Sequence, residues 1–472
     1  MVPSPSTLHL PPSTDTIAAI ATAEGPAGVA VVRISGPAAW QVAERVVRHQ
    51  GPCLTERTAG HFFHAQLADA AGEIVDDGLV LLFRAPASFT GEDVVELQGH
   101  GGVTPPRAVL RAVLAAGARL AEPGEFTRRA FLNGRLDLTQ AEAVMDLVHA
   151  RSERAAQAAR AQLAGGLGTA VDALYQETTS LCADVEAQLD FEAGELPVRV
   201  RGEAEARLDR LRGEVTQLLA TNREGHLLRS GALVVIAGSP NAGKSSLLNA
   251  LLGKDRAIVS PIAGTTRDMI EEGVVLDGIS LRLMDTAGLR ETTCQVEQEG
   301  VARARHALEQ ADLVLYLIDA SRPLVEQHPA FARSTVQMLV VMNKTDLPVL
   351  VKDSEMTHVL QAAEHTTAPV VLRLSLKTGV GLQELKVALV KHLGVERQAP
   401  IHPTVAERHY AELVQANQAL TKGRELLSRD DAQLVLAAGE LRRATEALGR
   451  ITGRSYTHDL LDLIFSRFCL GK

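Results

Sequence analysis

Residues 238–245 read Gly-Ser-Pro-Asn-Ala-Gly-Lys-Ser, directly after the apolar run Leu233 to Ala237 and directly before a helical stretch from Ser246. Glycines let backbone N–H groups turn inward around an anion, and a following helix adds the positive end of its dipole. A lysine and a hydroxyl then stand where phosphates and Mg2+ need them. The pattern predicts a phosphate-binding loop in which Asn241, Ala242, Gly243, Lys244, Ser245 and Ser246 wrap a nucleotide. Lys244 would neutralise the outer phosphates and the Ser245 hydroxyl would ligate Mg2+. A glycine-rich turn with no ligand is the bland alternative, and it weakens as further motifs accumulate in order.

Asp285-Thr286-Ala287-Gly288 closes the next expected strand, placing a carboxylate near the Mg2+ water shell and an N–H of Gly288 at the γ-phosphate. Asn343-Lys344-Thr345-Asp346 closes the strand Met338 to Met342 and chooses the base. The Asp346 carboxylate can accept two hydrogen bonds from guanine N1–H and the 2-amino group, whereas adenine would leave those acceptors unpaired. GTP is therefore preferred to ATP. Ser375-Leu376-Lys377 fits the remaining base-contacting loop. Between the first two motifs, Ser260-Pro-Ile262-Ala-Gly-Thr265-Thr266 is turn-rich enough to close over the nucleotide, and Thr266 is the candidate to complete the Mg2+ shell. Leu289 follows Gly288 where many regulatory GTPases carry a water-orienting glutamine. Leucine cannot hold water, so hydrolysis needs an arginine finger, a cation or a carboxylate; Arg290, Glu291, Glu297 and Glu299 are the local supply.

Positioning these motifs takes a doubly wound α/β domain. Strand signals at Ala232 to Ala237, Leu281 to Met284, Leu313 to Ile318, Met338 to Met342 and Val370 to Leu374 alternate with helical segments. Before it, residues 15–132 mix short β-rich runs with Gly/Pro turns and two helical patches, an α+β texture. Ala-rich, helix-periodic sequence fills Thr139 to Gln162, Val171 to Leu189 and Glu203 to Leu228, and helix returns at Val405 to Leu427 and Asp431 to Ile451. The expected organisation is an α+β domain over 1–133, a helical domain split into 134–228 and 395–472, and an inserted GTPase domain over 229–394. A chain of 472 residues is long enough for two to four such units at about 150 residues each.

Apolar residues at 46% and charged residues at 22% are ordinary globular values, and the net charge of −9 excludes a chain-wide basic surface for nucleic acid. Any such contact would be local. Cys53, Cys182, Cys294 and Cys469 form no CxxC pair, so neither a zinc knuckle nor a disulfide framework is expected, and a reducing cytoplasm is the simplest setting. The leader lacks a basic segment followed by an apolar one, and no later apolar run reaches the roughly 18 residues of a spanning helix. No membrane association is expected. His100 lies between glycines without a second ligand at metal spacing, and is assigned no metal.

Several further segments carry a resemblance: Arg33-Ile-Ser-Gly, Phe89-Thr-Gly-Glu-Asp-Val-Val-Glu96-Leu-Gln-Gly-His-Gly-Gly, Pro123-Gly-Glu-Phe-Thr, Phe131-Leu-Asn-Gly-Arg135-Leu-Asp-Leu and the terminal Phe468-Cys-Leu-Gly-Lys472. With the nucleotide motifs, they make the chain resemble the MnmE (TrmE) family of tRNA-modification GTPases along essentially its whole length. The resemblance implies an N-terminal domain that forms a homodimer and binds 5-formyl-tetrahydrofolate or a related tetrahydrofolate. It also implies a discontinuous helical domain and an inserted G domain. It further implies work on tRNA with an FAD-dependent partner of the MnmG (GidA) type, in a heterotetramer. The product would be an aminomethyl or carboxymethylaminomethyl group on carbon 5 of the wobble uridine.

In such GTPases K+ replaces the missing finger when two G domains meet. By motif position Asn241, Ser260, Ile262 and Thr265 would hold it, and Glu297 matches the family's water-orienting catalytic glutamate. A cation there can stabilise charge developing between the β- and γ-phosphates. For folate the resemblance points to Arg33, Glu96, Arg135 and Lys472. A carboxylate such as Glu96 could read the pterin's amidine-like edge, and the glutamate tail calls for cations. Read from the residues alone, Arg33 and Glu96 are a structural ion pair, Arg135 is a surface charge in place of the lysine of some members, and Lys472 is a chain end. Cys469 has either a chemical role or the commoner one of a small hydrophobe. The arginines between Arg151 and Arg160 either meet tRNA phosphates or form a solvated helix face. A rival reading, an Era-like switch in ribosome assembly, would lead one to expect an RNA-binding module after the G domain, and helix stands there instead.

Overall fold

The structure, a computed structural model, describes residues 15–189, 198–253, 271–285, 307–327, 336–352, 354–356, 370–394, 404–429 and 433–472. In chain order the first elements are β1 (Ile17–Ile20), β2 (Val29–Ser35), α1 (Ala39–Val46), β3 (Val47–Arg48), β4 (Phe62–Ala68), β5 (Ile74–Phe83), β6 (Val94–His100), α2 (Thr104–Ala115), β7 (Arg119–Leu120) and α3 (Glu125–Leu132). The helices α4 (Leu138–His149), α5 (Glu153–Leu163), α6 (Gly166–Leu189), α7 (Val198–Ala220) and α8 (Asn222–Ser230) follow. Next come β8 (Ala232–Gly238), α9 (Lys244–Leu252), β9 (Glu271–Leu276), β10 (Ile279–Asp285), β11 (Leu313–Asp319), β12 (Met338–Asn343), β13 (Val370–Arg373) and α10 (Leu382–Leu393). The last elements are α11 (Glu407–Arg429), α12 (Leu434–Thr452) and α13 (His458–Phe465). This is the multidomain class expected: α+β first, helices on either side, and a doubly wound α/β fold between them.

By packing, the chain divides into a unit of 1–145, 162–216 and 411–472, and a unit of 146–161 and 217–410. The first unit carries a sheet in the order β3-β4-β5-β6-β2-β1-β7, antiparallel except where β1 meets β7. Its strands alternate, because successive side chains leave a strand on opposite faces. Val32, Ile34, Leu67, Val80, Leu82, Val95 and Leu97 point to one face, where Trp40 and Val42 of α1 and Val109 and Val113 of α2 bury them. Full burial of such a side chain contributes about 1.5–3 kcal/mol, so this face is strongly specified. On the other face Ile17 and Ala19 pack against Phe126 of α3, while Phe62, Leu79 and Val29 farther along stay exposed. The terminal helix α13 packs its Leu461, Ile464 and Phe465, followed by Phe468, against Phe131, Leu138 and Val144.

Two long helical stretches expected from periodicity are each divided. The run Thr139 to Gln162 breaks at residues 150–152, where the Ser152 hydroxyl accepts from the Ala155 N–H and starts a new helix. The run Glu203 to Leu228 breaks at Thr221, whose hydroxyl donates to the Leu218 carbonyl. A local side-chain bond competes with the helical ladder in both places. α5 and α8 lie in the second unit, tied by Arg154 to Glu224 at 3.0 Å.

The second unit's sheet runs β13-β12-β11-β8-β10-β9, parallel except for the β9–β10 hairpin. β8 is buried along nearly its whole length, as a central strand covered on both faces must be. From β8 the chain passes first to one side, into β9 and β10, and then to the other, into β11, so the strand order reverses there. In parallel α/β sheets ligands bind beyond the carboxyl ends of the strands at such a switch point.

Candidate functional site: a guanine-nucleotide cleft and a terminal-motif cluster

The carboxyl ends of β8, β10 and β12 deliver the three sequence motifs to one edge of the sheet. Gly238 leaves β8 at φ +142°, where a Cβ would collide with the Leu317 carbonyl oxygen of β11, so only glycine lets the loop start this close to its neighbour. Asn241 turns the loop at φ +62°. Gly243 caps α9 at φ +105°, with no room for a Cβ beside the Asn343 amide. A left-handed non-glycine costs on the order of 1 kcal/mol, and Asn is among the residues that bear it best. Lys244, buried, donates from Nζ to the carbonyls of Gly238 at 3.1 Å and Ser239 at 2.9 Å. The Ser245 hydroxyl donates to Asp285 Oδ2 at 3.0 Å, so two hard oxygen groups from different elements stand together beside the loop. Such a pair suits a small divalent cation.

The base-reading motifs meet the phosphate loop through Asn343. Its Nδ2 donates to the Ala242 carbonyl at 2.8 Å, and its Oδ1 accepts from the Leu376 N–H at 3.2 Å. One buried amide therefore fixes the phosphate loop and the Ser375–Lys377 loop to each other. Asp346 Oδ1 accepts from the Ser375 hydroxyl at 2.7 Å, which holds its carboxyl below the usual aspartate value and keeps it an acceptor. Pro240, Asn241, Gly243, Lys244, Ser245, Ser246, Asn343, Lys344, Asp346, Leu347, Leu376 and Lys377 line a cleft of about 730 Å³. That volume falls within the usual range for a small-molecule or cofactor pocket.

Sequence reasoning did not single out Pro240 or Leu347. Each lies inside or beside a recognised motif, which was the available signal. Ser260, Ile262, Thr265, Thr266, Thr286, Ala287, Gly288 and Glu297 lie outside the described residues, as do Leu289, Arg290, Glu291 and Glu299.

A second cluster forms in the first unit. Arg33 of β2 faces Glu96 of β6 in register, with Nε to Oε1 at 2.9 Å and both side chains 16% exposed. The guanidinium lies 5.4 Å from the Phe89 ring centre and 5.6 Å from that of Phe126, within cation–π reach of both. Arg135 is brought to the loop that carries Phe89, since its Cγ would lie 3.1 Å from a Cβ on Gly91. Nearby, Asn133 Nδ2 donates to the Thr90 carbonyl at 2.8 Å. The terminal motif docks beside them. Gly471, at φ +91°, has no room for a Cβ against the Ile20 carbonyl, and Ile20 pairs with Val32, the neighbour of Arg33. The Cys469 carbonyl accepts from the Gly124 N–H at 3.5 Å and the Lys472 N–H at 3.3 Å. Thus Arg33, Glu96, Arg135 and the chain end, far apart in sequence, share one region.

The structure adds partners at two places read in the sequence. His100 does have a partner: its Nδ1 lies 2.7 Å from Asp76 Oδ1, and Asp76, Asp77 and His100 bring ligand-type atoms within 4.8 Å of one another. Strand pairing between β5 and β6 supplied what sequence spacing hid. Asp76 also accepts from the His100 N–H, so its side chain is satisfied, and it raises the His100 pKa above the ordinary histidine value. The Arg151 to Arg160 stretch is not one open basic face, because Arg154 is buried against Glu224 and Arg160 pairs with Glu153 at 2.8 Å. Among the cysteines, Cys53 and Cys469 are exposed and Cys182 is buried, its thiol pushed up to about 12 by burial and then by the Glu186 carboxylate. Cys294 lies outside the described residues. Among the described residues no helix is long and apolar enough to cross a membrane.

Two family models match the chain: the MnmE helical domain over residues 138–469 and the GTP-binding protein TrmE N-terminus over residues 16–135. Among similar curated proteins, the tRNA modification GTPase MnmE of Pseudomonas aeruginosa (strain UCBPP-PA14) is 43% identical over 98% of this chain and 99% of its own. Its counterpart in Bordetella petrii is 44% identical over 99% and 100%. That of Chlorobium phaeovibrioides is 42% identical over 98% of both chains.

Proposed function

The chain belongs to the MnmE (TrmE) family of tRNA modification GTPases, and from that premise we propose that it is a K+-stimulated GTPase, activated when two G domains pair, that serves wobble-uridine modification in the cytoplasm. That it is a GTPase acting in tRNA modification follows from the family. The finer reading is ours: with an FAD-dependent partner of the MnmG type, in a heterotetramer, it installs an aminomethyl or carboxymethylaminomethyl group on carbon 5 of the wobble uridine. The α+β domain over 1–133, the helical parts 134–228 and 395–472 and the G domain over 229–394 divide this work. The observation that carries the nucleotide half is the Asn343 bridge, which locks the phosphate loop to the base-reading loop beside Asp346, itself kept ionised by the Ser375 hydroxyl.

In this cleft Lys244 and the backbone N–H groups of residues 241–246 would hold the phosphates, and Asp346 would read guanine. Thr286, Ala287 and Gly288 would meet the γ-phosphate end. Ser245 and Asp285, 3.0 Å apart, fit Mg2+, with Thr266 as the further ligand. Asn241, at its strained turn in the loop, fits one ligand of K+, with Ser260, Ile262 and Thr265 as the others. When bound, the two cations neutralise charge that develops between the β- and γ-phosphates. Glu297 would orient the attacking water. In the first unit Glu96 would read the pterin edge of a formyl-tetrahydrofolate, which supplies the one-carbon unit. Arg33, bonded to Glu96, would orient that carboxylate at the pterin end, and Arg135 and Lys472 would answer the folate's negative tail. The aromatic walls Phe89 and Phe126 and the docking of Gly471 support that assignment. Cys469, exposed and two residues away, is a candidate for chemistry at the same place.

The homodimer reading is supported by the outer face of the first sheet. Phe62, Leu79 and Val29 stand exposed on that face, on β4, β5 and β2, in separate cross-strand rows, and a partner would cover them. The functional test is mass analysis of wobble nucleosides in tRNA from cells lacking the protein. Loss of the modified uridine is expected, and a profile identical to that of unaltered cells would overturn the assignment.

A further inference from the structure

Beneath Lys344 lies a buried carboxylate that belongs to none of the nucleotide motifs. Asp319 ends β11 opposite Asn343 of β12 and is 3% exposed. Its Oδ2 accepts from Lys344 Nζ at 2.6 Å, and its Oδ1 accepts from the Ser321 N–H at 3.0 Å and hydroxyl at 2.6 Å. Burial alone would raise this carboxyl, but the Lys344 and Ser321 donors override it and hold it below the usual aspartate value.

Gln327 grips the same residue by its backbone. The Asp319 N–H donates to Gln327 Oε1 at 2.8 Å, while Gln327 Nε2 donates to the carbonyls of Asp319 at 2.7 Å and Arg322 at 3.1 Å. Gln327 is itself buried, and the Ser239 hydroxyl of the phosphate loop donates to its Oε1 at 3.4 Å. A continuous polar chain therefore runs under the cleft, from Ser239 through Gln327 and Asp319 to Lys344. Lys344 needs such a hold. It sits at φ +65°, a backbone setting that a non-glycine residue resists, and its long side chain would otherwise sample many rotamers at the wall of the cleft.

We propose that Asp319, braced by Gln327, is a positioning residue for guanine-nucleotide binding: it pins Lys344 against the cleft and so slows nucleotide release. Ordering the lysine before the ligand arrives removes that cost from binding. The proposal rests on the guanine-nucleotide reading of the cleft. A plain structural ion pair would stabilise the fold without acting on the nucleotide through Lys344.

Release of a fluorescent guanosine diphosphate from the full chain separates the two. Asp319→Asn is expected to speed release about tenfold, the scale of one charge-assisted hydrogen bond. KM for GTP should rise with it while kcat moves less than about twofold, because the bond is made equally in ground and transition states. In a Lys344→Met background the same change should add less than about twofold, since a residue acting through Lys344 has nothing left to act on. Release unchanged in Asp319→Asn, or a full tenfold added in the Lys344→Met background, would overturn the proposal. If Asp319→Asn does not fold, Gln327→Leu takes its place in the same cycle: faster release that vanishes in the Lys344→Met background supports the bracing, and unchanged release overturns it. An unaltered chain that released guanosine and adenosine diphosphates alike would sink the guanine reading itself; guanine-selective release with an unmoved Asp319→Asn rate sinks only the bracing role.

Discussion

At the scale of single residues, the cleft depends on a few side chains whose partners lie on other strands. Asp346 is kept ionised chiefly by the Ser375 hydroxyl, so it presents two acceptor oxygens to whatever enters the base end. Asp346→Asn should lower GTP affinity by about 100-fold or more, because the charge is lost and one acceptor oxygen becomes an N–H2 donor facing the guanine donors. Equilibrium titration with labelled GTP reads this, and unchanged affinity would remove Asp346 from base recognition. Glu297→Ala should do the opposite, leaving affinity nearly intact while turnover collapses. A turnover number equal to that of the unaltered chain would take Glu297 out of the reaction. The motif residues were legible from sequence because their types and order state the chemistry. Asp319 and Gln327 were not, since an Asp at a strand end and a Gln in a short helical turn have no meaning until β11 is set beside β12.

At the scale of elements, turns and caps decide where the site residues end up. The C-terminal segment after α13 is held on β1 by a glycine whose conformation and clearance no other residue can reproduce. Gly471→Ala should free the chain end from Ile20 and weaken binding of a formyl-tetrahydrofolate by about tenfold or more, as an ordered contact to its tail is lost. GTP turnover should be unaffected. Calorimetric titration of the folate checks this, and affinity equal to that of the unaltered chain would exclude the tail from the site. The helical breaks at Ser152 and Thr221 show why periodicity alone overruns its elements. Apolar spacing continues across both, while a hydroxyl bonding to the local backbone starts a new helix at Ser152 and closes the old one at Thr221.

At the scale of the molecule, the exposed Phe62, Leu79 and Val29 on one face of the first sheet give the proposed homodimer a testable face. Phe62→Arg should shift the chain toward monomer in light scattering across a dilution series, because a buried charge at an apolar interface is costly. An unchanged dimer would place the contact elsewhere. In the unaltered chain GTP turnover should be much faster in K+ than in Na+ at equal ionic strength, and equal rates would end the cation mechanism. The sequence by itself determined the nucleotide and the family, because those are written in residue types at fixed spacing within short segments of the chain. Only the tertiary structure decided that the chain end lies on β1, that His100 meets Asp76 and that Asp319 underlies Lys344. Each of these depends on strand register or on the docking of distant segments. Pairing of that kind is set by which faces the core buries, a property of the whole fold that no local spacing encodes.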